Sequence, residues 1–335
     1  MKSIRSLFHW PSIPFCLVTS LFTGLLPLSP TASQAQTFPS KPIRIVVPFP
    51  AGGSFDVAAR LIAQRMINSL SQTVVVENRP GGGTTIATDY VAHQPADGYL
   101  LLVVGPSFVI NAALREKLPY DVARDFKAVS QTIALAMTIA VNPALPVKTI
   151  HELIRLAQKH PGEIAFGTSG PGTSHHLLGE AFQIITKTQL IHAPYQGGGP
   201  AATAGAGGHI PMLLINVAEC SSFIASGKLR LLMVTSPTRD ALVPQVPTAR
   251  ESGLPAMEAT NWSGLVVHSA APASAVNRLN SAVVNALAHS EVRDILKAQA
   301  INAAPSTQEE FNELLRTDAD RYLKVTKTAH IKVDG

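Results

Sequence analysis

Short apolar runs, each followed by a glycine-rich turn and then a helix-period segment, recur along the chain. This alternation constrains the fold more than any other feature. Ile43-Arg44-Ile45-Val46-Val47 is the first run, and the segment from Pro48 to Asp56 turns after it. Ala59, Ile62, Ala63, Met66 and Leu70 then recur at helical spacing, with Arg60, Gln64, Arg65 and Asn68 on the opposite face. Residues 73–76 and 100–104 read as further buried strands, and 164–167, 190–193, 212–215 and 229–234 repeat the theme. Strands alternating with helices predict an α/β fold of parallel sheets flanked by helices. Capping boxes are expected at three helix starts, pairing Thr149 with Glu152, Thr248 with Glu251 and Ser306 with Glu309, and Gly227 reads as a helix stop.

Two extended segments, 138–142 and 261–267, read as crossovers between lobes. They divide the chain into one lobe of residues 36–138 and 262–335 and a second of residues 139–261, with the helices from Ala273 onward packing back on the first. Two crossings let such a molecule hinge about its cleft.

Residues 1–35 read as a signal peptide. Lys2 and Arg5 precede an apolar stretch over 13–28, and Ser33-Gln34-Ala35 sets a cleavage site before Gln36. Pro14, Ser20, Thr23 and Pro27 leave that stretch short of the ~20 apolar residues of a spanning anchor. Pro14-Phe15 before Cys16 lacks the small residues of a lipoprotein signal, so soluble export is expected. The formal charge of +5 becomes +3 without Lys2 and Arg5, too mild for nucleic acid, and no Lys/Arg cluster supports that partner. Cys220 is then alone, so no intrachain disulfide is available and the cores must stabilise the fold.

In open α/β sheets ligands collect beyond the carboxyl ends of strands. Four loops there are rich in glycine and hydroxyls: Gly52-Gly53-Ser54 with Asp56, Gly105-Pro106-Ser107, the segment from Thr168 to His176, and Tyr195-Gln196-Gly197-Gly198-Gly199-Pro200. Glycine lets the backbone approach a ligand, and helix-start amides attract an anion without any Arg. A plain tight turn with Asp56 as N-cap explains the first loop equally well. Pro200 is read as the first residue of its helix. Trp262 and Tyr195 are read as core aromatics, with cleft lining as the alternative.

Enzyme motifs are missing. Gly167-Thr168-Ser169-Gly170-Pro171 ends in Pro where a nucleophile elbow needs Gly, and no Gly-Lys-Ser/Thr completes a phosphate loop. His175 and His176 would project about 100° apart on a helix, a poor metal pair; one is expected to cap or pack and the other to be solvated. Asp56 with His176 would make a dyad without a nucleophile. Gly81-Gly82-Gly83 reads as a turn.

Across these residues the chain resembles the Bug-type, TctC-like extracytoplasmic solute receptors of tripartite tricarboxylate transporters. The blocks that carry the resemblance run from Lys41-Pro42-Ile43 through Gly52-Gly53, Asp56 and Ala59-Arg60; then Glu77-Asn78-Arg79-Pro80-Gly81-Gly82 and Pro95-Ala96-Asp97-Gly98-Tyr99. They continue through Leu118-Pro119-Tyr120-Asp121, Asp125-Phe126, Ser174 to Leu177, Pro194-Tyr195, Pro247-Thr248, Glu251-Ser252-Gly253 and Trp262 with Gly264-Leu265. The resemblance implies a type II periplasmic-binding-protein fold whose backbone amides hold a carboxylate. It places Phe49, Gly53, Ser54, Phe55 and Asp56 on one lobe and Ser169, Thr173, Ser174 and Tyr195 on the other, with Ser107 after the third strand and Asn216 on the wall. Ile215 stands where such receptors carry Asp, which makes that wall less polar. Phe55 is bulkier than the usual Thr, and His175 adds a titratable group where Ser is common.

The expectation is therefore a non-catalytic periplasmic receptor without metal or cofactor. It takes a small organic acid, hands it to inner-membrane permease subunits and acts as a monomer. A sensor of the same fold and a hydrolase in the same cleft are the alternatives. Ligand identity is open among dicarboxylates, aromatic acids, amino acids and neutral vitamins.

Overall fold

The computed structural model describes residues 38–115 and 117–329, with side chains through Leu323. The leader, Cys16 and the cleavage site lie outside the described residues.

Among the described residues ten strands form in chain order: β1 Ile43–Val47, β2 Val74–Asn78, β3 Leu100–Val104, β4 Phe126–Val141, β5 Ala165–Thr168, β6 Ile191–Pro194, β7 Met212–Asn216, β8 Arg230–Val234, β9 Thr260–His268 and β10 Ile301–Ala303. The path runs β2-β1-β3-β9-β4-β7-β5-β6, with β8 and β10 also pairing with β4. The apolar runs became strands because each is buried between helices: Ile43, Ile45, Val46 and Val47 are fully buried on both faces of β1.

Purely parallel sheets were expected, but the sheets are mixed. β1 runs parallel to β2 and β3, and β5 to β6 and β7, each joined by a helical crossover. β4 and β9 run antiparallel to their neighbours because they carry the chain between the two sheets. β4 pairs with β9 from Phe126 to Ala136 and then with β7 and β8 from Met137 onward. A 16-residue strand free of Gly and Pro spans roughly 50 Å, enough to serve two lobes. The return passes through Ala259, whose N–H bonds Thr235 O in the second sheet at 2.9 Å, directly before β9 joins the first.

Two cores follow. Ile62 and Met66 of helix Ser54–Leu70 pack with Leu279 and Val283 of helix Ala273–Ala288 against the first sheet. Leu153, Phe166 and Phe182 fill the second. The C-terminal helix Gln308–Ala329 lies on the first sheet's other face. Trp262 is anchored there, donating Nε1–H to Asp318 Oδ2 at 2.6 Å and meeting Phe311 edge-on, so it is core and not cleft wall. Among the described residues no helix is long and apolar enough to cross a membrane.

The Thr149–Glu152 box caps helix Ile150–Lys159, and Gly227 ends helix Val217–Ala225 with a φ of 69°. Thr248 and Glu251 exchange the expected bonds, but over a turn and not a helix. The third box sits one residue later, between Thr307 and Glu310. Ser306 is otherwise engaged, its hydroxyl accepting from Gln131 N and its own N–H donating to Ser130 Oγ. Gly81, Gly82 and Gly83 all take positive φ in a tight turn.

Candidate functional site

The four loops converge on one cavity of about 880 Å³ between the sheets. From the first loop Phe49, Gly53, Ser54 and Phe55 border it, and from the second Ser107. The opposite wall carries Ser169, Thr173, Ser174, Tyr195 and Asn216. Asp56 alone among the eleven candidates does not border the cavity.

Asp56 is the third residue of its helix, not the N-cap; that place belongs to Gly53. Its carboxylate reaches back to accept from Gly52 N at 2.8 Å, Asn78 Nδ2 at 2.8 Å and Arg60 Nε at 2.9 Å. Burial pushes its pKa up, but those three bonds outweigh burial and hold the carboxyl below its ordinary value. Asn78 also donates to Phe49 O at 3.0 Å, so the Asp56–Asn78 pair fixes both ends of the first loop. Under that loop Phe55 lies against Gly105, where an added Cβ would come within 2.7 Å of the ring and 3.0 Å of Trp262 O. Glycine is required at that contact.

On the second lobe Thr173 caps helix Ser174–Thr186, accepting from His176 N and donating to Gly170 O at 2.8 Å. Ser174 follows at the helix start, where unpaired amides favour an anion. Helix Gly198–Ala206 begins two residues before Pro200; the proline still sits in the first turn, where its missing N–H costs nothing.

Both adjacent histidines are buried, against the expectation that one would be solvated. His175 Nδ1 lies 2.6 Å from Ser169 Oγ, and its Nε2 lies 3.1 Å from Asn216 Oδ1. Asn216 Nδ2 faces the Glu219 carboxylate at 3.1 Å, so its Oδ1 must accept, from Asn261 Nδ2 at 3.0 Å and from His175. This assigns His175 as the neutral Nε2–H tautomer with Ser169 donating to Nδ1. Burial, partly opposed by Glu219 and Asn216, keeps its pKa below the ordinary value. The neighbouring His176 turns away from this chain of bonds. Its Nδ1 accepts from Gly172 N at 3.3 Å, and neither it nor Asp56 contacts the other as a dyad would.

Sequence reasoning left out Asn261, Glu219, Phe223 and His209, all of which border the cavity, as do His175 and the glycines 197–199 that it had marked. Glu219 had a readable signal: Asn216 and Glu219 stand at capping-box spacing, and the Glu219 carboxylate accepts from Asn216 N at 2.9 Å. Nothing in the sequence brings Asn261 of β9 to the end of β7.

The lobes touch each other. Gly83 backs onto Pro171 O and Gly172 onto Asn111 Oδ1, so closely that an added Cβ would come within 2.6 and 2.8 Å. Leu177 of the second lobe sits in the first lobe's core with Phe108 and Val109.

A family model described as "Tripartite tricarboxylate transporter family receptor" matches residues 58–330. Protein BugT of Bordetella pertussis is 33% identical over 302 residues, covering 90% of this chain and 93% of that protein. Two solved structures from Rhodopseudomonas palustris match closely. Rpa4515 with adipate gives a TM-score of 0.84 at 30% identity, over 88% of this chain and 99% of its own. MatC with bound malate gives 0.82 at 29% identity, over 86% and 99%. The two-sheet fold, the cavity between its lobes and these matches agree over nearly the whole described length, and the chain belongs to the receptor family of the tripartite tricarboxylate transporters.

Proposed function

We propose that this receptor captures a small organic carboxylate between its lobes in the periplasm and delivers it to inner-membrane permease subunits. The observation that carries the reading is the cavity itself: hydroxyls of Ser54, Ser107, Thr173 and Ser174 and the helix starts at Ser54, Pro106, Ser174 and Gly198 line it, and among the described residues no Lys or Arg does. Helix-start amides hold a carboxylate there by hydrogen bonds and partial positive charge. The adipate- and malate-bound relatives support the same ligand class. In this account a leader ending at Ala35 is removed on export. The chain works as a monomer, its lobes divided near residues 138 and 261 and hinging on β4 and β9.

Ser169, His175 and Asn216 also form a Ser–His–Asn chain, the one feature that favours a hydrolase. Complete burial holds His175 below its ordinary pKa and disfavours the imidazolium that a proton shuttle must form, so the chain fits a rigid wall better. A thermal-shift screen of organic acids, with chromatography of each hit, tests both readings. Stabilisation by an acid recovered intact supports the receptor; a converted hit supports the hydrolase.

A further inference from the structure

Among the described residues Glu219 is the one carboxylate on the cavity's lining, which also carries His175 and His209 but no Lys or Arg. Glu219 lies in the first turn of helix Val217–Ala225, and its two oxygens accept from Asn216 N at 2.9 Å and Asn216 Nδ2 at 3.1 Å. A carboxylate has about four acceptor positions, so capping uses half of them. Among the described residues no Lys, Arg or His forms an ion pair with it. Gly198 lies directly against both oxygens, any side chain there would collide with them, and both residues border the cavity. Phe223, one turn further along the helix, and Tyr195 border the same cavity with aromatic surface.

From this we infer that the ligand is a zwitterion: its carboxylate goes to the helix starts at Ser54 and Ser174, and a cationic nitrogen goes to Glu219. The inference rests on the carboxylate reading above and narrows it. Glu219 is half-buried and carries its charge without a cation beside it, so a ligand ammonium placed against it gains a charge-assisted hydrogen bond in the bound state. A second ligand carboxylate in the same place would face a like charge, which selects against dicarboxylates. The aromatic surface beside the acid suits an ammonium as well.

The test is calorimetric titration of the intact chain with acids matched in length from three to six carbons: monocarboxylates, α,ω-dicarboxylates and ω-amino acids. At the best length the amino acid is expected to bind at least about tenfold more tightly than the dicarboxylate. Glu219→Gln keeps a capping acceptor for Asn216 and should abolish that gap. A dicarboxylate that equals or beats the amino acid on the unaltered chain overturns the inference, whether or not the variant folds. So does a gap that persists in a folded Glu219→Gln. Binding of monocarboxylates in either case leaves the carboxylate reading standing; failure of every acid to bind rejects both.

Discussion

His176 and His192 stack face to face, ring centroids 4.0 Å apart and 13° from parallel, on the far side of the loop that forms one cavity wall. His192 Nε2 bonds Thr168 Oγ1 at 2.7 Å, and His176 Nδ1 accepts from Gly172 N, so the pair supports the loop at both ends. Two imidazoles in van der Waals contact cannot both be charged cheaply. Burial lowers His176 to about 4; burial, then repulsion from His176 once that ring is protonated, lowers His192 to about 4.

The consequence for pH follows from linkage. Each group binds a proton more readily in the unfolded chain, where an imidazole titrates near 6.5. Its contribution to stability is complete above that value, declines as pH falls toward 4 and is lost below it. For His176 the loss is at most roughly 3 kcal/mol. The nearby Glu180, whose pKa burial raises, titrates with the opposite sign and reduces the net effect. Urea unfolding between pH 7 and pH 4 should show a falling free energy, and the double variant His176→Gln/His192→Gln should flatten the curve.

Asp56→Ala and Asn78→Ala should each weaken ligand binding although neither contact reaches the cavity. Each removes one half of the clamp on the first loop. Loss of a capping-type bond costs ~1 kcal/mol, about fivefold in affinity if it falls wholly on the bound state. Calorimetry on both variants checks this; unchanged affinity in both would detach the clamp from binding.

Gly105→Ala should destabilise the protein, because the new methyl meets the Phe55 ring and Trp262 O together. Overpacking of this kind costs about 1–3 kcal/mol. Pairing it with Phe55→Leu, which frees space beside the methyl, should recover part of the loss in thermal unfolding.

Tyr195→Ala and Ser174→Ala should reduce the thermal shift caused by a bound acid while leaving the ligand-free melting temperature close to normal, since both residues border the cavity. A saturating ligand stabilises by ~2.7 kcal/mol at about 100 dissociation constants, so a tenfold loss of affinity is easily resolved.

The strands were legible because the runs beginning at Ile43, Leu100 and Met212 are apolar on both faces, a pattern set by burial between helices. The loops were legible because glycine and hydroxyl residues follow those runs directly. The direction of β4 was not: it depends on partners more than 100 residues away, and its apolar sequence fits a parallel or an antiparallel neighbour alike. The Ser306 box slipped by one because Ser306 and Thr307 are equal candidates locally, and only the bond of Ser306 to Ser130 separates them. Asn261 and Asn216 meet because β4 holds the start of β9 near the end of β7, and no local spacing encodes that.

The central claim is capture of an intact acid, one per chain, in the cavity between the lobes. Native mass spectrometry of the chain with its best-stabilising acid measures it most directly. The account predicts a single adduct of exactly the acid's mass on the unaltered chain and a strongly depleted adduct on Ser174→Ala. An adduct equally abundant on both chains, or a product mass in place of the acid, would contradict it.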